Sequence, residues 1–194
     1  MKRAAVLTFA VILFAVCAHA ADFIVKSGAP NQVVFVSKAP TETFEGRTDR
    51  IVGRISLDPA SVVDTVAVHI EALLAGLNTG IGKRDSDMRD KYLETDKYPK
   101  AVFAGASVLG PKGATLSTGK VVTFDCEGDF TLHGVTKRLR VSVDVMLHDE
   151  HTLTFKASFK VPLADYQIAR PKFLFLKLGE VQDVTVEGVA VAAP

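Results

Sequence analysis

The sequence predicts an all-β fold, an eight-stranded antiparallel up-and-down β-barrel with one short helix between strands. Two observations predict it. Apolar and polar residues alternate with period two through most of the chain, and one segment alone switches to a charged, helix-spaced pattern. Strands with one apolar face must hide that face and their edges, and eight of them closed on themselves do both. A two-sheet sandwich would satisfy the same alternation; the long hairpin from Val121 to Pro162 favours the meander.

In chain order, Val33 to Val36 is the first strand, then Ile51, Gly53, Ile55 and Leu57 mark the second, and Val66, Val68 and Ile70 the third. Arg84 to Leu93 breaks the rule: it is highly charged, with Met88 and Tyr92 four apart, which fits a short amphipathic helix carrying Asp85 near its N-terminus. Tyr98-Pro99 stops it before a strand from Ala101 to Val108. The next three strands are the clearest. Val122, Phe124, Cys126, Gly128, Phe130 and Leu132 alternate with Thr and acidic residues; Leu139, Val141, Val143, Val145 and Leu147 follow; Leu153, Phe155, Ala157, Phe159 and Val161 complete the set. Asp149-Glu150-His151 joins the last two as a hairpin. Val184, Val186 and Gly188 close the count at eight. No repeat, linker or low-complexity tract divides 21–194, which reads as a single domain.

Residues 1–20 stand apart. A basic start at Lys2-Arg3, an apolar run from Ala4 to Val16 and small residues at Ala18-His19-Ala20 form a secretory signal peptide, cleaved after Ala20. The run is short for a membrane anchor. Val16 before Cys17 argues against lipidation, because lipoprotein signals want a smaller residue there. Cleavage removes two basic residues and turns a formal net charge of +1 into −1. So balanced a chain has no field to attract nucleic acid. Cys126 is then the lone cysteine, on the apolar parity of its strand, and reads as a small core filler rather than a nucleophile. A membrane-spanning barrel is disfavoured: Trp is absent and most Phe residues lie mid-strand on the apolar face instead of in rim girdles.

The inward series of the three best strands contains no His, Asp, Glu, Lys or Arg. A catalytic or sugar-binding lumen needs convergent polar groups, whereas an apolar wall rewards apolar surface, at roughly 25 cal/mol per Å². Strands of this length suit a long lipid tail. Whether the side chains fill the barrel or line a hollow is left open by the sequence. The wall residues of a hollow barrel would be Phe124, Phe130, Leu132, Val143, Phe155 and Phe159, with Phe173 and Phe175 near an opening. Pro171 to Leu178, apolar on both parities and flanked by Lys172 and Lys177, reads either as a buried segment or dimer contact, or as a mouth loop touching lipid. Arg84, Asp85 and Arg89 read either as a brace beneath the helix or as mouth residues meeting a polar headgroup. His148 and His151 flank two carboxylates in one turn, an ordinary polar turn before it is a metal site; His133 reads as a solvated turn residue and His69 as exposed. No hydrolase elbow, zinc-protease helix or phosphate loop occurs.

Three stretches carry a family resemblance. Arg84-Asp85, Met88-Arg89, Lys91-Tyr92-Leu93-Glu94, Lys97-Tyr98-Pro99 and Phe103 form the first; Phe130 to Lys137, with its Gly134-Val135-Thr136, the second; Phe159, Asp165-Tyr166 and Ile168 the third. Together they resemble the YceI-like family over nearly all of the chain after the signal. The resemblance implies a lipocalin-like barrel, exported to the periplasm, that binds polyisoprenoid or similar amphiphilic lipids in its lumen. It implies neither an enzyme nor a catalytic set, cofactor or metal. Relatives commonly carry a His where this chain has Asp87, which sets any role of that His in question here; as a helix cap, Asp substitutes well. The expected function is therefore periplasmic binding of a long-chain amphiphilic lipid, for transport, storage or sensing, with transient membrane contact and a homodimer as further expectations. The competing expectation is a solid barrel serving as an envelope-stress or protein-interaction factor.

Overall fold

The computed structural model describes residues 20–39, 42–110, 114–173 and 176–194, with backbone alone at 64–65, 106, 172–173 and 176–177. Residues 1–19, all of the expected signal peptide but Ala20 and with it Cys17, lie outside the described residues, as does Phe175.

Ten strands build one antiparallel ring with eight positions. Two positions are each shared by two strands. β1 (Ala21–Val25) and β2 (Gln32–Lys38) both pair with the last strand, β12 (Val181–Ala192): β2 along Asp183–Glu187 and β1 along Ala190–Ala192. β3 (Thr43–Thr48) pairs with β2, and β4 (Ile51–Leu57) with β1. From β4 the ring meanders through β5 (Ala67–Leu73), β6 (Lys100–Leu109), β7 (Val121–Leu132), β8 (Val135–Asp149) and β9 (Thr152–Pro162) back to β12. Asn31 seals the step between β1 and β2. Its carboxamide nitrogen donates to the Lys26 carbonyl, and its oxygen accepts the Val189 N–H. Gly188 leaves room for it, since a Cβ there would stand 2.1 Å from the Asn31 oxygen. β10 (Lys172–Phe173) and β11 (Leu176–Lys177) form a separate small hairpin.

Local chemistry explains the joints. β7 and β8 are joined by His133 and Gly134, both at positive φ (51° and 75°), the two-residue turn whose twist suits a hairpin. In β6 a bulge between Ala104 and Ser107, with Gly105 at φ 63°, switches the inward parity from Ala101 and Phe103 to Val108.

The two ends differ. At one, α1 (Val62–Thr65) and Leu116 plug the barrel; Val62 donates to the Ala114 carbonyl and Leu116 to that of Pro59. At the other, α2 (Gly82–Asp87) crosses the rim and continues as one π-helical turn, Met88–Tyr92, where the Leu93 N–H reaches the Met88 carbonyl at 2.8 Å. The helix thus begins two residues earlier than expected and widens midway. The wider turn puts Met88, Tyr92 and Leu93 together on the lumen wall, which regular α spacing does for the first two only.

The outer face is polar and laced with ion pairs. Lys160 on β9 and Lys38 on β2 both reach Asp183 on β12, at 2.5 and 2.9 Å, and Arg140 on β8 meets Asp125 on β7 at 2.8 Å. These mid-strand charges lie where a membrane-spanning barrel would present its apolar band. No helix among the described residues is long and apolar enough to cross a membrane. Hydrogen bonds from Lys160 and Lys38 pull the Asp183 carboxyl from 3.8 down to about 2. Those from Lys83 and Lys91 lower Asp87, and those from Gln32 and Lys156 lower Glu187. A carboxylate lowered in the folded state stabilises it fully above its unfolded pKa, and the contribution fades as pH falls through the folded one. Melting temperature is therefore expected to hold level from pH 7 to 5 and to drop between about pH 4 and 2. Circular dichroism melts check this, and a level profile down to pH 2 would contradict it.

Candidate ligand-binding site

The lumen is hollow. A cavity of about 780 Å³, in the upper part of the range for small-molecule sites, runs along the barrel between its two hydrophobic clusters. Phe124, Phe130, Leu132, Val143, Phe155 and Phe159 all stand on its wall. Phe130 anchors the covered end, with its ring edge-on to Phe159 and Tyr166, each at 5.5 Å. The side chain of Phe173 lies outside the described residues. Its hairpin springs from Pro171 and Leu178, both on the cavity wall, and is tied to β2 through Gly179 N–H to the Lys38 carbonyl. The segment therefore sits at the mouth of the lumen.

The structure adds wall residues that sequence reasoning missed. Phe35 and Phe44 from β2 and β3, Phe103 from β6, and Met88 and Tyr92 from the rim turn are among them. Phe103 lies across Gly128, where a Cβ would be 2.6 Å from its ring. The alternation Val33, Phe35, Ser37 was a readable signal in β2, but its polar last member obscured it.

At the rim, Thr79 holds Arg84 and Asp85 together. The Arg84 Nε–H donates to Thr79 Oγ1 at 2.8 Å, that hydroxyl donates to Asp85 at 2.5 Å, and the Thr79 N–H donates to the same carboxylate at 2.9 Å. Asp85 is buried by this network rather than capping the helix from solvent. Arg84 also reaches Glu42 at 3.0 Å and lies 3.8 Å over the Phe44 ring. So Arg84 is both brace and mouth: it belongs to the cavity wall, while Asp85 and Arg89 do not. Asp87 stands on the wall too, between Lys83 and Lys91 at 2.7 and 2.9 Å.

The remaining polar candidates are structural. His133 is not a solvated turn residue. Its side chain is 11% exposed, with Nδ1 3.1 Å from the Tyr166 carbonyl, Nε2 2.8 Å from Glu94, and its ring 4.5 Å from that of Tyr98. It ties Glu94, two residues past the π-helical turn, and Tyr166, four residues past β9, to the β7–β8 turn. His69 is exposed and pairs with Glu71, and His148 meets Thr154. Among the described residues no three His, Cys, Asp or Glu come together to hold a metal. Cys126 is buried, and burial pushes its thiol up to about 11. Its thiolate fraction at pH 8 is then about one in a thousand. A disulfide reagent at pH 8 is expected to label it only on unfolding. Labelling of the native protein at the rate of a free thiol would contradict its placement.

A closed antiparallel barrel with an apolar lumen, plugged at one end and rimmed by charge at the other, defines a lipocalin-like β-barrel protein. The chain belongs to the YceI-like family, whose model matches residues 27–190. It is 31% identical over 153 residues to a UPF0312 protein of Pseudomonas savastanoi pv. phaseolicola, covering 77% of this chain and 70% of that one. It is 28% identical over 139 residues to a UPF0312 protein of Vibrio cholerae, covering 70% and 68%. Among solved structures, a polyisoprenoid binding domain from Saccharophagus degradans, implicated in plant cell wall breakdown, matches with TM-score 0.69 and 20% identity over 90% of this chain and all of that one. Burkholderia cenocepacia BcnA matches with TM-score 0.69 and 17% identity, over 83% and 96%. At these identities the structural likeness speaks for the fold.

Proposed function

We propose that this protein binds a polyisoprenoid or similar long-chain amphiphilic lipid in its lumen, in the periplasm, after export by a cleaved signal peptide of residues 1–20. The observation that carries the reading is the continuous apolar cavity of about 780 Å³, whose walls reward a chain of hydrocarbon and offer no convergent catalytic set. The polyisoprenoid-binding neighbour of the same fold supports it. The hairpin at the mouth is where lipid enters, and where the protein meets a membrane. Carriage, storage and sensing share this site, and none needs chemistry on the ligand.

The test is organic extraction and mass spectrometry of protein purified without detergent from the periplasm. A stoichiometric isoprenoid or acyl species is expected. An empty extract, together with no uptake of added polyprenol or fatty acid, would overturn the proposal.

A further inference from the structure

The main-chain ladder of the ring is interrupted beside β3. That strand ends the strand order, and above the start of β4 no strand lies on its outer side. The rim segment from Leu74 to Tyr92 takes the vacant place: Leu77, Ile81, Arg84, Met88 and Tyr92 fill the wall between Phe44 of β3 and Phe103 of β6. Its hold on β3 is slight. One isolated bridge joins them, in which the Arg47 N–H donates to the Asn78 carbonyl and the Asn78 N–H to that of Arg47, both at 2.9 Å. Two residues along the same edge of β3, the main-chain groups of Glu45 have no partner among the described residues.

The second tie is the clasp of Arg84 on Glu42 and on the Phe44 ring. The Glu42 side chain is 57% exposed, and charge pairs so open to water contribute little. The other end of the rim segment is fastened, because His133 holds Glu94 and packs on the Tyr98 ring. Its base is close-packed as well: a Cβ on Gly76 would stand 2.6 Å from the Thr48 hydroxyl. Between the bridge and the clasp, Gly80 turns at φ 82° with open space where a Cβ would be. Ile81 follows it, a member of the cavity wall that is nevertheless 50% exposed. Its side chain carries the apolar lining of the lumen through the break to the outside.

Resting on the reading of the lumen as a lipid site, we infer that lipid passes sideways through this break, below the mouth, as the rim segment swings away from β3 on its fastened end. A tail threaded end-on would draw every apolar unit past Glu42, Lys83, Arg84 and Asp87 at the rim. A sideways opening lays the tail along its length over Ile81 and onto the apolar wall. It breaks two main-chain hydrogen bonds and the Arg84 clasp, and leaves every strand ladder of the ring intact.

The experiment locks the break. Arg47 and Asn78 exchange both main-chain hydrogen bonds, which sets their Cα atoms about 5.5 Å apart, within the reach of a disulfide. The Arg47→Cys, Asn78→Cys protein, loaded from phosphatidylcholine vesicles, is compared oxidised and reduced by stopped-flow fluorescence of pyrene-labelled hexadecanoic acid. Oxidation is expected to slow uptake and release alike, by about tenfold or more, with affinity unaltered. Cys126 is buried and takes no part. The control is a disulfide in Thr131→Cys, Thr136→Cys, paired across β7 and β8, which is expected to leave both rates as they are. Glu42→Gln removes the charge from the clasp and is expected to quicken both rates severalfold, which tests the inference even where the disulfide distorts the fold. Equal rates in the oxidised and reduced protein, a control slowed as much, or a Glu42→Gln protein no quicker than wild type would overturn the inference and send lipid through the mouth instead. A reduced protein and a wild type that take up no probe would overturn the lumen reading itself.

Discussion

Ala157→Phe is expected to strip the protein of lipid while leaving its melting temperature within about 2 °C of wild type. Ala157 on β9 faces Val143 on β8 across the ladder, and both are half-buried members of the cavity wall. A benzyl group there projects into empty space rather than into packed neighbours. It occupies room that about four methylenes of a tail would otherwise fill, and at ~0.8 kcal/mol per buried methylene the loss is about 3 kcal/mol, on the order of a hundredfold in affinity. In a solid core the same change would overpack, costing about 1–3 kcal/mol of stability. The two readouts therefore separate hollow from filled. Thermal melts and the lipid content of the purified variant check both. A variant that melts normally and keeps wild-type lipid would place the ligand elsewhere.

How much of this was legible in the sequence depends on how continuous each strand's pattern is. The inward parity of β7, β8 and β9 could be read because each alternates without interruption over four or more pairs, although β8 begins at Val135, four residues before the Leu139 that opens its legible pattern. That of β3 could not. Its inward members are Phe44, Gly46 and Thr48, and Gly46 is small because a Cβ there would stand 2.2 Å from the Phe35 ring. The apolar surface of that stretch is supplied by its neighbour, so no single-strand pattern records it. β6 hid its parity behind the bulge at Gly105. The helical segment was legible as such, but its π-helical turn depends on tertiary contacts with the lumen. At the rim, the residues were found and their partners were not. Arg84 meets Glu42 across 42 positions, and the two acceptors of His133 lie 33 and 39 positions away. Pairings of that separation are set by ring closure and leave no local trace.

Gly53→Ala is expected to give the largest loss of stability of any single methyl addition in the barrel. Gly53 sits on β4 between Val25 of β1 and Ile70 of β5. A Cβ there would lie 2.3 Å from the His69 carbonyl oxygen, 2.9 Å from the Ile70 Cα and 2.5 Å from the end of the Ile70 side chain. The nearest contact is with backbone, so rotating a side chain cannot relieve it. β4 and β5 must part, weakening ladder hydrogen bonds between two strands that are each paired on both sides. A loss of about 3 kcal/mol follows, or roughly 6–12 °C in melting temperature for a domain of this size. Gly46 contrasts with it, because there the obstructing atoms belong to the Phe35 ring, which borders the hollow lumen and has somewhere to go. Gly82, at the start of α2, has open space where its Cβ would stand, and Gly82→Ala is expected to be neutral or slightly stabilising. Melts of the three alanine variants should therefore rank Gly53 lowest, Gly46 between and Gly82 at wild type. A Gly53→Ala protein that melts with the wild type would mean that β4 and β5 part without loss, and that the closure of the ring is looser at this seam than its hydrogen-bonded register requires.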